Sequence, residues 1–95
     1  MTRILEGRTA LITGSTSGIG LSIALAMAGA GAKVMLNGFG KPEEIAAARA
    51  AVGAAMGGGD APYSGADMSK PAEVRAMVAA CEAQLGACDI LVDNA

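Results

Sequence analysis

Thr13-Gly14-Ser15-Thr16-Ser17-Gly18-Ile19-Gly20 is the stretch on which the fold turns. Before it stand Ala10, Leu11 and Ile12, an unbroken apolar run suited to a strand covered on both faces. After it, Ile19, Ile23 and Met27 recur at helical spacing, and Leu21, Ala24 and Leu25 widen the apolar face. We therefore expect a strand over about 8–13 and a helix over about 18–28. Glycines between them permit a tight turn and the close approach of a diphosphate. Backbone N–H groups from Gly18 through Ile19 to Gly20 would meet that group, aided by the helix dipole, with the hydroxyls of Ser15 and Ser17 as further donors. The turn lacks the Lys-Ser or Lys-Thr pair with which a P-loop holds the β and γ phosphates and magnesium.

Outward from this turn, short apolar runs alternate with longer Ala-rich segments. Gly29 and Gly31 stop the first helix, and Lys-Val-Met-Leu-Asn at 33–37 reads as a second buried strand. Pro42 with Glu43 and Glu44 opens the next helix, because proline fits the first turn and carboxylates favour the positive end of the dipole. That helix runs to about Met56, anchored by Ile45 and Val52, and ends in Gly57-Gly58-Gly59. A short strand near 61–65 follows, then Ser69 as the expected N-cap and Pro71 in the first turn of a third helix. Val74, Met77, Val78, Cys81 and Leu85 form the clearest amphipathic stripe, Gly86 terminates it, and 89–92 reads as the last strand.

Four strands and three helices in strict alternation imply right-handed crossovers and a parallel sheet of order 3-2-1-4. The expected class is α/β, with residues 1–95 as one partial dinucleotide-binding domain, the N-terminal half of a doubly wound Rossmann-type sheet that ends after its fourth strand. Ligands of such sheets lie outside the carboxyl ends of the strands, near the switch between strands one and four.

Composition narrows the function classes. The 95 residues carry 7 Lys and Arg against 9 Asp and Glu, a net charge of −2, and the basic residues are scattered singly, which disfavours an electrostatically driven nucleic-acid binder. With no histidine, Cys81 and Cys88 make no recognisable zinc set, and no metal site is expected. No apolar run approaches the roughly 20 residues of a membrane span. The opening Met1-Thr2-Arg3, soon followed by Glu6 and Arg8, is unlike a secretory leader, so the cytoplasm is the expected compartment.

Four further positions are candidates for the ligand crevice. About twenty residues beyond the glycines, where a carboxylate commonly holds the ribose diol of NAD, stands Asn37-Gly38-Phe39-Gly40-Lys41. Asn37 can exchange hydrogen bonds with a ribose, and the Phe39 ring can cover an adenine. The missing carboxylate removes the strongest repulsion against a 2'-phosphate, and Lys41 can neutralise one, but no arginine accompanies it, so NAD is expected over NADP. Asp67 can receive the adenine amino group while the backbone of Met68 faces the ring, and Asn94 can line the crevice or hold the strand ends together. Tyr63, the only tyrosine, has no lysine four residues later and is expected to pack rather than to act as an acid.

Together these segments resemble the short-chain dehydrogenase/reductase family. The likeness extends over essentially all 95 residues, through T-G-S-T-S-G-I-G, L-N-G-F-G at 36–40, A-D-M at 66–68 and D-I-L-V-D-N-A at 89–95. It maps the family's glycine pattern onto Gly14, Gly18 and Gly20, its adenine-contacting Asp onto Asp67 and its Asn-Ala-Gly segment onto Asn94. L-N-G-F-G is most similar to family members that act on short 3-hydroxy acids. The resemblance implies reversible hydride transfer between NAD and a small 3-hydroxy or 3-oxo acid in a complete, homotetrameric enzyme. Alternatives are another reductase of the family, such as a 3-oxoacyl carrier-protein reductase or a sugar-alcohol dehydrogenase, and a non-catalytic dinucleotide-binding fragment. Two departures stand out: Asp93 occupies the first position of the usual Asn-Asn-Ala-Gly, and neither the family's catalytic serine nor its Tyr-x-x-x-Lys pair has a counterpart in these residues. No turnover is expected from residues 1–95 alone, which hold no acid–base group for the reaction.

Overall fold

The computed structural model describes residues 4–94. Seven elements follow one another: β1 (Thr9–Ile12), α1 (Gly18–Gly29), β2 (Lys33–Asn37), α2 (Pro42–Ala55), β3 (Tyr63–Ser64), α3 (Pro71–Leu85) and β4 (Ile90–Val92). The strands form one sheet of order β3-β2-β1-β4, parallel throughout. Both the class and the strand order are those expected of the N-terminal half of a Rossmann-type sheet.

Strand alternation divides the core in two. Ala10 pairs in register with Val34 and Ile12 with Leu36, and these four point to the face covered by α1 and α2, where Ala24, Ala28, Ala48 and Val52 complete the layer. Leu11 and Met35 point the other way, onto Met77 and Cys81 of α3. The α3 stripe is thus buried as its spacing predicts, with Val74, Val78 and Leu85 packed at its margins. Leu91 lies beside Leu11 in the register, yet it is 61% exposed, because α3 packs over β1 and β2 and leaves this face of β4 open, whereas Ile90 and Val92 pack on the other face.

Three expectations need correction. The buried stripe of α1 is Gly20, Ala24 and Ala28, whereas Ile19 is 75% exposed and Leu25 also reaches solvent. Small residues at i, i+4 and i+8 let the helix axis lie close to the sheet, and its larger side chains are carried to the flanks. Ser69 is not the N-cap of α3: Lys70 occupies that position without a side-chain cap bond, and the Ser69 hydroxyl turns back to Asp67. Strand β3 contributes two residues rather than five. Pro62 has no N–H to donate, although its carbonyl accepts from Leu36 N–H at 2.8 Å.

Among the described residues no helix is long and apolar enough to cross a membrane. Cys81 and Cys88 are both free thiols.

Candidate functional site

Because all four strands run parallel, the segments 13–20, 37–41, 64–68 and 93–94 gather along one edge of the sheet. A belt of hydrogen bonds joins them. Thr13 Oγ1 accepts from Asn94 N–H at 2.8 Å, and its own proton faces Asp93 Oδ1 at 3.3 Å and the Val92 carbonyl at 3.4 Å. Asp93, the departure from the family pattern, therefore serves as an acceptor within the belt. The Asn94 side chain donates to Gly14 O at 3.2 Å, closing β4 onto the glycine-rich turn.

Between β1 and β2 the link is Ser15. Its fully buried hydroxyl lies 2.7 Å from the Ile12 carbonyl and 3.2 Å from that of Asn37, and it accepts from Asn37 N–H at 3.0 Å. Asn37 carries the belt onward: its amide donates to the carbonyls of Ser64 and Ala66 at 3.0 and 3.1 Å while the residue is 2% exposed. Ser15 and Asn37, both expected at the ligand, thus direct the Ser15 hydroxyl and the Asn37 side-chain NH2 to carbonyls inside the protein. A polar residue at a strand end reads as solvent-facing until its neighbours are known, and for Asn37 those neighbours are the carbonyls of Ser64, in β3, and of Ala66 just beyond it.

The turn itself depends on glycine at two places. Gly14 has φ +61°, and a Cβ there would stand 3.0 Å from the Asn94 carbonyl oxygen. At Gly20 a Cβ would stand 2.0 Å from Gly14 O and 2.6 Å from Asn94 Nδ2, so the helix seats directly on the turn. Gly18 differs: with φ +58°, it has open space where its side chain would be. The first intrahelical bond runs from Leu21 N–H to Ser17 O at 3.2 Å, which leaves Gly18, Ile19 and Gly20 without intrahelical acceptors. Ser17 is the exposed N-cap and makes no capping bond with its side chain. No acidic residue stands in this first turn, whereas α2 has Glu43 and Glu44 and α3 has Glu73 in theirs. The positive end of α1 thus has no carboxylate of its own first turn beside it.

Phe39 projects at 70% exposure beyond the end of β2. The loop behind it is held by two hydroxyls, Thr16 Oγ1 donating to Phe39 O at 3.0 Å and Tyr63 OH donating to Gly38 O. Tyr63 therefore packs, as expected, but also anchors. Half-buried Asp67 receives both the hydroxyl and the N–H of Ser69 on Oδ1, at 2.7 and 2.9 Å. Those two bonds, and behind them the Lys70 charge, hold its carboxyl below the usual range. Its own N–H donates to Glu73 Oε1 at 3.0 Å. The Met68 side chain packs against the α3-side core.

The family described as short chain dehydrogenase matches residues 8–95. The chain belongs to this family. It is 50% identical over 92 residues, 97% of its length, to the D-beta-hydroxybutyrate dehydrogenase of Cupriavidus necator, and 50% identical over 88 residues to the enzyme of the same name from Rhizobium meliloti. It covers 34% of each, so it spans about a third of the length of these relatives. Among solved structures, a dehydrogenase/reductase from Sinorhizobium meliloti superposes with a TM-score of 0.87 at 33% identity, over 99% of this chain and 36% of the other. A short-chain dehydrogenase/reductase from Serratia marcescens gives 0.86 at 31%, over 96% and 36%.

For a short-chain dehydrogenase the fold implies dinucleotide binding, and the glycine-rich turn fits a diphosphate: open space before Gly18, three N–H groups without helical acceptors, and no competing carboxylate. The Gly14–Gly20 motif pointed to this turn and to the helix seated on it. Thr13, Thr16 and Tyr63 were missed as parts of the belt and the loop anchor, and no sequence signal names them, since each acts on a carbonyl more than twenty residues away.

Proposed function

We propose that this chain is the dinucleotide-positioning portion of an NAD-dependent oxidoreductase that transfers a hydride between NAD and a small 3-hydroxy or 3-oxo acid, with (R)-3-hydroxybutyrate and acetoacetate as the substrate pair. The observation that carries the binding role is the carboxylate-free first turn of α1 opening onto unfilled space at Gly18. Substrate class rests on the 50% identity to two D-beta-hydroxybutyrate dehydrogenases.

In this reading the N–H groups of Gly18, Ile19 and Gly20 and the Ser17 hydroxyl hold the diphosphate, and Gly14 and Asn94 fix the turn beneath it. Phe39 covers the adenosine, Asp67 accepts the adenine amino group on Oδ2, and the Met68 backbone borders the ring. Ser15 and Asn37 contribute from beneath, by fixing strand ends. NAD is favoured over NADP because no arginine stands near Lys41. Bound there, the nicotinamide would supply the hydride acceptor. Acid–base chemistry belongs to the part of the relatives that this chain does not span. Tyr63 does not supply it, since Asp67 stands four residues on and its hydroxyl is given to Gly38.

The test is a pair of measurements. Residues 1–95 and the complete reading frame that contains them are titrated with NADH and NADPH by fluorescence, and both are assayed for NADH formation with (R)-3-hydroxybutyrate. The proposal expects tighter NADH binding by the complete protein, turnover from it, and none from residues 1–95. A complete protein that binds neither dinucleotide refutes the binding role, and one that turns over only other alcohols refutes the substrate assignment.

A further inference from the structure

Gly38-Phe39-Gly40 presents a physical difficulty. Two glycines give the loop high conformational freedom, and a freely moving phenylalanine would fold its ring against the protein rather than hold it 70% exposed. The loop is restrained from two sides instead. Tyr63, on β3, donates its hydroxyl to the Gly38 carbonyl, and Thr16, in the glycine-rich turn, donates to the next carbonyl, that of Phe39, at 3.0 Å. Thr16 is 6% exposed, and a Cβ at Gly38 would stand 2.9 Å from its Oγ1, so glycine at 38 is what lets the loop lie against the hydroxyl. Two consecutive peptide carbonyls are thus fixed by side chains from two different segments, and the Phe39 ring leaves the backbone between them, exposed past the end of β2.

We infer that Thr16 and Tyr63 are positioning residues that pre-form the loop 38–40 and hold Phe39 ready for the adenosine half of a dinucleotide. This rests on the function proposed above. Ordering the loop before the ligand arrives removes an entropic cost that binding would otherwise bear, so the two hydroxyls act on dinucleotide affinity and leave the chemical step alone. Each works through the backbone of Gly38 or Phe39 rather than by touching the reacting atoms. Tyr63, read from sequence as packing alone, thereby acquires a role in cofactor affinity.

The experiment uses the complete protein containing these residues, with the variants Tyr63→Phe, Thr16→Val and Thr16→Ser. Removing either hydroxyl forfeits one net hydrogen bond, which corresponds to about a fivefold change in a loop-ordering equilibrium. The expected result is a rise in KM for NAD, at most about fivefold, in Tyr63→Phe and Thr16→Val, with kcat and the KM for the 3-hydroxy acid unchanged and with Thr16→Ser close to wild type. A second readout needs no cofactor. Chymotrypsin cleavage after Phe39 in the apo-protein, located by mass spectrometry, should speed up as well, and because cleavage follows the released population while KM follows the ordered one, the two factors should multiply to about five. Unchanged KM for NAD in both hydroxyl-deleted variants overturns the inference, even if cleavage accelerates. Faster cleavage in a protein whose wild type binds neither dinucleotide would instead refute the proposed function, and the cofactor role of the two hydroxyls with it, while the anchoring itself would stand.

Discussion

Replacing Gly20 by alanine puts the contact between helix and turn to the test. The new Cβ would lie 2.0 Å from the Gly14 carbonyl oxygen, 2.8 Å from its carbon and 2.6 Å from Asn94 Nδ2, where ordinary contact begins at 3.4 Å. The nearest obstacle is backbone, so the start of α1 must withdraw from the turn by about 1.4 Å. Overpacking of this kind costs about 1–3 kcal/mol. Straining the Asn94 bond to Gly14 O costs about 1 kcal/mol more, and the better helix propensity of alanine returns about the same amount. The net loss is about 1–3 kcal/mol, a factor of roughly 5 to 150 in the ratio of folded to unfolded protein. The same withdrawal carries N–H groups away from a diphosphate, and loss of even one charge-assisted bond weakens dinucleotide binding by about tenfold or more. Gly53→Ala is the matched control: its Cβ would meet Gly59 O at 1.9 Å, at the opposite end of the sheet. Urea unfolding and NADH titration of the complete protein should show both variants destabilised and only Gly20→Ala impaired in binding. Wild-type stability and affinity in Gly20→Ala would refute the reasoning, as would an equal loss of affinity in Gly53→Ala.

Other consequences are open to simpler measurements. Gly29→Ala, at the exposed end of α1 with nothing within 4 Å of the added carbon, should raise stability by about 0.5–1 kcal/mol in urea unfolding. Burial, reinforced by the neighbouring Cys88, pushes the Cys81 thiol up to about 11, so iodoacetamide at mildly alkaline pH should modify half-exposed Cys88 and reach Cys81 only on unfolding, as peptide mass mapping would reveal. The lowered pKa of Asp67 means that its contribution to stability is present above the ordinary value of 3.8 and is lost as the pH falls through the folded-state value. Ser69→Ala removes the largest cause of that depression, the hydroxyl bond to Asp67, and keeps the backbone one, so the carboxyl titration followed by NMR should move up toward 3.8.

The architecture was legible because its signals are local. Apolar runs at 10–12 and 33–37, glycine stops at 31 and 86, and prolines at 42 and 71 each act within a few residues, and alternation of strand and helix then leaves one handed topology. The orientation of α1 was not legible because the helix is apolar nearly all round: Ile19, Ile23 and Met27 fit a helical period as well as Gly20, Ala24 and Ala28 do, and only the close approach of the sheet selects the small residues. At the candidate site the glycine turn could be read directly, since a positive φ at Gly14 and Gly18 and the contact at Gly20 are properties of single positions. Asn37, Ser15 and Tyr63 could not, for the carbonyls they satisfy belong to segments brought near only by strand pairing. A hydroxyl or amide carries no mark of whether its partner will be ligand or protein.

The belt at the strand ends also sets an order of events in time. Its bonds from Thr13 and Gly14 to residues 93 and 94 close separations of about eighty residues, whereas β1 and β2 are joined through a single helix. Contacts of such long range form late, after the intervening chain has found its place. The turn before α1 can therefore not take its final shape when β1, α1 and β2 first assemble, because Asn94 must still arrive to hold the Gly14 carbonyl. During synthesis, competence to bind at this edge would be gained only once β4 had left the ribosome and docked beside β1, so that ligand capture would report completion of the sheet rather than its beginning.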